Sequence, residues 1–201
     1  MTRAKDRFNQ NIEALMVLDS IYLYLENQAI AFDISEILRA QFLLIVSAMD
    51  YYIHEVVREG LLAAIDGIDD KPKLDKVSLP LETVKVLLSV DNEVDKRRFL
   101  DSAIRDTLSK DSYQSPRNIE TALHLIGYRN LWHKLCDGTE KNKVDVKNQL
   151  SLIILRRNKI AHEADMNPIS GEKEIMDRSV TKACLEHVRW IIHRMDELIG
   201  S

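Results

Sequence analysis

Arg157, Asn158 and His162 lie within six positions of one another in a segment whose apolar residues recur with helical spacing. At about 100° per residue, the helix predicted over 144–163 places Arg157 in the middle of an apolar stripe. Because a guanidinium does not lose its proton, Arg157 requires a carboxylate, carbonyl groups or an anionic ligand. Histidine moves protons readily near neutral pH. The segment therefore predicts either a site that binds an anion and transfers protons, or a buried ion pair beside a surface histidine.

The predicted stripe sets the directions of the three polar side chains. Its apolar members are Val146, Leu150, Ile153, Ile160 and Ala164. His162 lies about 140° around the helix from Arg157, so spacing alone does not make the two a face-on pair. Asn158 is four residues before His162 and on the same side, where its amide is able to orient the imidazole.

A second set of polar residues lies on a helix predicted over 34–65. The run 42–46 (FLLIV) is apolar around most of its circumference, which predicts a central helix contacted by neighbours on several sides. Asp50 and His54 lie on one side of this helix, and a buried carboxylate is costly unless it is paired. Asp50 either holds Arg157 or ties two helices together in the interior. For His54, tying two helices together is favoured over a position near the site.

Three segments, taken in order, resemble a known family. The run 156–165 (RRNKIAHEAD) resembles the signature of HEPN domains, an Arg followed by a polar residue and then, four to six positions after the Arg, by a His on a helix. Residues 43–59 (LLIVSAMDYYIHEVVRE) resemble the first long helix of one branch, the RiboL-PSP-HEPN family, and 131–135 (LWHKL) fits that branch as well. The resemblance covers about residues 42–198.

The resemblance implies a helical bundle that forms a homodimer, with motifs from both subunits lining one cleft. It also implies a metal-independent endoribonuclease of toxin–antitoxin or antiphage systems, acting on single-stranded RNA and paired in some cases with an antitoxin protein. RNA supplies its own nucleophile, the 2′-hydroxyl, so an acid/base and a cation for the phosphate suffice. The alternative is a non-catalytic HEPN module that binds RNA, a nucleotide or a partner protein.

Under the catalytic interpretation each residue receives a role. His162 is the general acid/base, Arg157 holds the phosphate, and Asn158 orients one or the other. Asp50 and His54 support the site from the second helix, while Arg156 and Lys159 attract the RNA backbone. A solvated helix face explains Arg156 and Lys159 equally well.

Composition fixes the class of fold. Among 201 residues there are only six Gly and four Pro, while 45% are apolar and 30% are charged. This balance is typical of a mostly helical chain and excludes collagen-like, disordered and β-sandwich classes. We expect one all-α domain over 1–201, a HEPN-type bundle of long antiparallel helices with a loop or short helical insertion at 66–80.

The remaining elements follow from periodicity and from capping residues. Asp33 and Glu36 are spaced as a capping box at the start of the second helix, and Ser115-Pro116 begin a segment that is one helix broken near Gly127 or two short helices. Pro168 is expected to close the helix that carries the motif. Helices are predicted over 4–31, 34–65, 81–90, 93–109, 116–137, 144–163 and 174–199.

Charge and ligand patterns limit partners and cofactors. The net charge of −4 argues against a protein that coats duplex nucleic acid through a basic face. No His, Cys or carboxylate spacing matches a metal site, so neither a metal nor a cofactor is predicted. The charged N-terminal segment and the short apolar runs favour a cytoplasmic protein without a membrane partner.

Overall fold

A computed structural model describes residues 2–28, 30–68 and 74–200. These residues form eight α-helices and no β-strand, which confirms the all-α class. The helices are α1 (Arg3–Asn27), α2 (Ser35–Ile65), α3 (Leu81–Ser89), α4 (Glu93–Leu108), α5 (Pro116–Leu125), α6 (Leu131–Cys136), α7 (Lys143–Glu163) and α8 (Arg178–Ile199).

Most helix boundaries agree with the periodicity, and two do not. Helix α1 ends at Asn27, four residues before the predicted end. Helix α8 begins at Arg178 instead of 174, because Asp177 caps it through backbone N–H groups of Ser179 and Val180. Ile175 falls within the predicted span 174–199, but it precedes the helix and is 83% exposed.

The segment over 116–137 forms the two short helices α5 and α6, one of the two arrangements predicted for it. Gly127 follows α5 with φ of 90°, a left-handed conformation that favours glycine and ends the helix. Pro116 occupies the first helical position of α5, as expected from its fixed φ.

The capping box predicted at the start of α2 is only half present. Oδ1 of Asp33 accepts a hydrogen bond from the backbone N–H of Ser35 at 2.8 Å. The carboxylate of Glu36 instead accepts hydrogen bonds from Arg39 and Lys173. The reciprocal hydrogen bond of a capping box, from the backbone N–H of Asp33 to the Glu36 carboxylate, is therefore missing. That carboxylate binds Lys173 instead, which is distant in sequence.

Part of the insertion predicted at 66–80 lies outside the described residues, namely 69–73. Residues 66–68 form a turn and a bend, and Leu74–Lys76 form one turn of 3₁₀-helix. Helix α3 then begins directly after Pro80.

The chain divides into two compact units. The first contains residues up to Tyr52, 114–116 and all residues from Trp132 onward, and the second contains Ile53–Tyr113 and Arg117–Leu131. Helix α2 contributes its N-terminal part to the first unit and its C-terminal part to the second. The single domain predicted over 1–201 stays a prediction.

The first unit has an apolar core supplied by its long helices. Helices α7 and α8 contact each other and run antiparallel, because Arg156 near the end of α7 bonds to Ile175 just before α8, whereas Val146 near the start of α7 bonds to His187 in the middle of α8. The large side chains that are fully buried in this unit include those of Phe8, Ile12, Leu38, Ile45, Met49 and Tyr52.

The second unit combines an apolar core with a buried ionic cluster. Glu55 is 7% exposed and accepts hydrogen bonds from the guanidiniums of Arg58 and Arg105. Burial raises the pKa of Glu55, but the hydrogen bonds from Arg58 and Arg105 lower it more, so the net shift is downward. Arg58 also bonds Asp101 at 2.9 Å, which ties α2 to α4. Each of these buried or partly buried charges therefore has a partner of opposite charge.

His187 links the two helices that carry and support the motif. Its Nε2 lies 3.1 Å from the backbone oxygen of Val146, so Nε2 carries the proton and donates it. Burial lowers the pKa of His187, the hydrogen bond to Val146 raises it less, and nearby Lys141 lowers it further. The folded protein therefore holds the neutral imidazole more strongly than the unfolded chain does.

This difference predicts a loss of stability in mild acid. The unfolded chain takes up a proton near its ordinary pKa of about 6.5, whereas folded His187 takes it up only at lower pH. The contribution of His187 to stability is complete above about pH 6.5, and it is lost as the pH falls towards the lower pKa of the folded state. Urea unfolding at pH 8 and pH 5.5 measures the loss, and we expect it to be smaller in His187→Gln.

His133 offers a matched control, because it is an exposed histidine on α6. His133→Gln should lose as much stability in acid as the parent chain. Equal losses in the parent and in His187→Gln would show that His187 is not the titrating group.

Candidate active site

The C-terminal end of α7 is formed by two consecutive residues in the left-handed region. Ala164 has φ of 50° and Asp165 has φ of 59°, and such conformations are costly for residues other than glycine. The backbone N–H of Asp165 bonds to the carbonyl of Lys159 at 3.0 Å and completes the last turn. Pro168, which was predicted to close this helix, lies beyond the turn, so the left-handed pair ends α7 instead.

The carboxylate of Asp165 holds this turn in place. Asp165 is fully buried, and its Oδ2 accepts from Nε of Arg39 at 2.9 Å and from Nη2 of Arg156 at 2.8 Å. Nη2 of Arg39 also donates to the carbonyl of Glu174, whose own N–H bonds to the Asp165 carbonyl at 2.9 Å. We call Arg39, Arg156 and Asp165 the carboxylate clamp. It joins the start of α2, the end of α7 and the chain that leads into α8.

The clamp changes the interpretation of Arg156. The sequence suggested that Arg156 attracts RNA backbone or covers a solvated face, but its guanidinium binds Asp165 and the carbonyl of Ile175. Arg156 is therefore held as a structural cation. Lys159 has a partly exposed side chain with Nζ 4.0 Å from a carboxylate oxygen of Glu174, so the role predicted for it stays a prediction.

Arg157 has no carboxylate partner among the described residues. Its side chain is half-buried, Nη1 donates to Oδ1 of Asn158 at 3.1 Å, and Nε is buried without a hydrogen bond. The ion pair with Asp50 that the sequence allowed is thus not formed within the described chain. A partly desolvated cation without a counter-charge is a favourable place for an anion to bind.

The apolar stripe explains why Arg157 is only half-buried. Val146, Leu150 and Ile153 are buried as predicted. Towards the end of the helix Ile160 is only half-buried and Ala164 is exposed, so the last turns of α7 leave the core.

His162 and Asn158 lie on the exposed side of α7. Both side chains are exposed, and they are one turn apart. Of the two roles predicted for Asn158, the structure forms the contact with Arg157. The three residues therefore give one end of α7 an accessible imidazole, an amide and an unpaired guanidinium.

Asp50 and His54 fall into different units. Asp50 is half-buried in the first unit, which also contains Arg157 and His162. His54 is half-buried in the second unit, where its ring centroid lies 4.4 Å from that of Tyr113. This ring contact agrees with a structural role for His54, and the support predicted from both residues stays a prediction.

The exposed side of α7 is also unusually apolar. Leu152 is 61% exposed and Leu155 is 57% exposed. Leu155 lies one helical turn before Asn158 and two turns before His162, so these side chains share one face. We call Val144, Ser151, Leu152, Leu155, Asn158 and His162 the open face of α7.

Other chemistry has little support in the described part of the chain. No group of three or more metal-ligating side chains occurs among the residues described. Burial raises the pKa of the Cys184 thiol to about 12, so Cys184 is not a nucleophile. Within the described helices, none is long and apolar enough to cross a membrane.

The helical fold and the motif at the end of α7 are those of a HEPN domain. The family model of RiboL-PSP-HEPN matches residues 10–201, so the chain belongs to this family. No curated protein matches the chain, and no solved structure matches it.

Sequence reasoning missed the clamp residues Arg39 and Asp165. Asp165 lies in the run 156–165 that resembles the HEPN signature. It follows the end of the predicted helix, so helical spacing does not indicate which side chains it contacts. Arg39 is 4% exposed on the apolar helix α2, and an arginine in such a context indicates a buried partner. The identity of that partner, 126 positions away, carries no local signal.

Removal of the Asp165 carboxylate should strongly destabilise the first unit. Asp165→Ala leaves the buried guanidinium of Arg39 and that of Arg156 without their shared counter-charge, which we expect to cost about 3–5 kcal/mol. Urea denaturation measures the free energy of unfolding. Glu172→Ala, an exposed carboxylate in the same loop, should change it by less than about 0.5 kcal/mol. Similar values for the two variants would contradict the clamp.

Proposed function

We propose that this protein is a metal-independent HEPN endoribonuclease that cleaves single-stranded RNA. The observation that carries the proposal is the unpaired, half-buried guanidinium of Arg157 beside exposed Asn158 and His162. Arg157 binds the phosphate, His162 transfers protons, and Asn158 orients the guanidinium.

The chemistry requires only groups that the chain carries. A base removes the proton of a 2′-hydroxyl, the 2′-oxygen forms a bond to the adjacent phosphorus, and the bond to the 5′-oxygen breaks. An acid gives the leaving 5′-oxygen its proton, so the products are a 2′,3′-cyclic phosphate and a 5′-hydroxyl. Arg157 stabilises the negative charge that develops on the phosphate oxygens.

A homodimer supplies the second proton-transfer group. One His162 cannot act as base and acid at the same instant, whereas two copies facing across a two-fold axis provide one of each. The open face of α7 supports this arrangement, because it places exposed Leu152 and Leu155 beside His162. Apolar area of this kind gains free energy when a second copy covers it.

The biological setting that fits this chemistry is a toxin–antitoxin or antiphage defence system in the cytoplasm. An RNase active without a cofactor must be held in check, and an antitoxin protein that covers the open face would do so. The net charge of −4 would limit indiscriminate RNA binding, while Arg157 and Lys159 give a local positive region.

The direct test is cleavage of several single-stranded RNAs in the presence of EDTA. His162→Ala should lower the rate about 10²–10⁴-fold, because proton transfer is lost, and Arg157→Ala about 10²–10³-fold. The products should carry 2′,3′-cyclic phosphate ends. His133→Ala, an exposed histidine outside the motif, should cleave like the parent chain.

Two results would contradict this function. Cleavage that persists in His162→Ala would come from another site or a contaminant. A chain that binds RNA, a nucleotide or a protein but cuts none of the RNAs tested would be a non-catalytic HEPN module.

The dimer has its own test at the open face. Leu155→Glu places a charge in the proposed interface, so we expect sedimentation velocity to show monomers and cleavage to fall together. Leu88→Glu changes a leucine on α3 that is 81% exposed and should alter neither. A dimer that persists in Leu155→Glu would place the interface elsewhere.

A further inference from the structure

A groove of about 330 Å³ lies in the first unit, between α1, the start of α2 and the first turns of α8. It is separate from the motif residues at the end of α7. Its apolar walls are Met16 and Leu185, and Gln41 lines it as well. A volume of this size is at the lower end of small-ligand sites and accepts one nucleobase with part of its sugar.

Gln41 is the unusual member of this groove. It is only 5% exposed, and its Oε1 is buried without a hydrogen bond. Buried carboxamides are normally satisfied, since an unpaired polar group in the interior is costly. An amide that lines an open groove in this state is complementary to a ligand with an adjacent donor and acceptor, which is what the edge of a nucleobase presents.

The charges at the rim fit one phosphodiester. The groove is lined by three cations, Arg178, Lys182 and Arg189, and by two carboxylates, Asp19 and Glu186. Arg178 is fixed to Asp19 by two hydrogen bonds of 2.9 and 2.8 Å, and Lys182 lies 3.9 Å from Glu186. Arg189 is exposed and has no ion pair with a described residue. The excess of one positive charge matches the single negative charge of a nucleotide within an RNA chain.

We infer that this groove binds one unpaired nucleotide of a single-stranded RNA, with its base against Met16 and Leu185, its base edge on Gln41 and its phosphodiester at Arg189. The inference rests on the proposed function for the identity of the ligand, but not on cleavage. The groove would select unpaired RNA, since a base in a duplex does not offer its edge and face together.

The test uses the His162→Ala chain, so that bound RNA is not cut. Fluorescence anisotropy with a labelled single-stranded octanucleotide measures affinity at several salt concentrations. Gln41→Leu should weaken binding about tenfold, because the contacts to the base edge are lost. The same change should leave the melting temperature unchanged or higher, because it removes an unsatisfied buried amide. A merely structural Gln41 would give a lower melting temperature.

Arg189→Gln should weaken binding and reduce the slope of log affinity against log salt by about 0.7, the value for one contact to single-stranded phosphate. Two variants control for these changes. Gln10→Leu alters an exposed glutamine on α1, and Arg98→Gln removes a charge from a side chain that is 79% exposed on α4. Both should bind RNA like the His162→Ala chain.

A second measurement requires no substitution of a residue that lines the groove. With ¹³C-labelled methionine methyl groups, RNA should shift the signal of Met16, which is 41% exposed, and leave those of fully buried Met49 and Met195 unchanged. An unshifted Met16 signal at saturating RNA, or full affinity in both Gln41→Leu and Arg189→Gln, would overturn the groove assignment.

The outcomes separate the two proposals. Cleavage by the parent chain with an unshifted Met16 signal overturns the groove alone. A shifted Met16 signal in a chain that never cuts RNA supports the groove and overturns the nuclease. If a peptide shifts Met16 and RNA does not, the groove is a protein-binding site and the inference is wrong.

Discussion

The buried carboxylate of Asp165 is bound by two guanidiniums, and the geometry of the candidate site depends on that contact. Its position is set by Arg39 from the start of α2 and Arg156 from α7. The two left-handed residues at the end of α7 are unfavourable by themselves, so they persist because the surrounding contacts hold them. Without the carboxylate, the turn that follows α7 would lose its contacts with Arg39 and Arg156.

The carboxylate clamp also gives two adjacent arginines different contacts. Arg156 neutralises Asp165 and is thereby removed from any ligand, whereas Arg157 keeps a guanidinium without a carboxylate. Side chains of consecutive helical residues point about 100° apart, so two identical side chains meet different surroundings. Arg156 contacts the turn after α7, whereas Arg157 contacts Asn158.

The sequence predicted the fold with good accuracy for physical reasons that are local. Helical periodicity and caps gave α2, α4 and α7 almost to the residue, since both signals reside within a few positions. Two of the predicted helix starts differ from the structure. Glu36 has the spacing of a capping residue but bonds to Arg39 and Lys173, and Asp177 caps α8 later than periodicity alone predicted. Lys173, which is distant in sequence, takes part in the first case, whereas the local cap formed by Asp177 decides the second.

By itself, the sequence determined the all-helical class and the family, and it indicated Arg157, Asn158 and His162 as candidate site residues, because periodicity and the motif are properties of neighbouring residues. Only the tertiary structure decided which arginine is paired, that Asp50 does not neutralise Arg157, and that Gln41 lines a groove without a partner. Each of these facts depends on residues that are far apart in sequence. Electrostatic pairing and burial are set by distance in space, and spacing along the chain does not encode that distance.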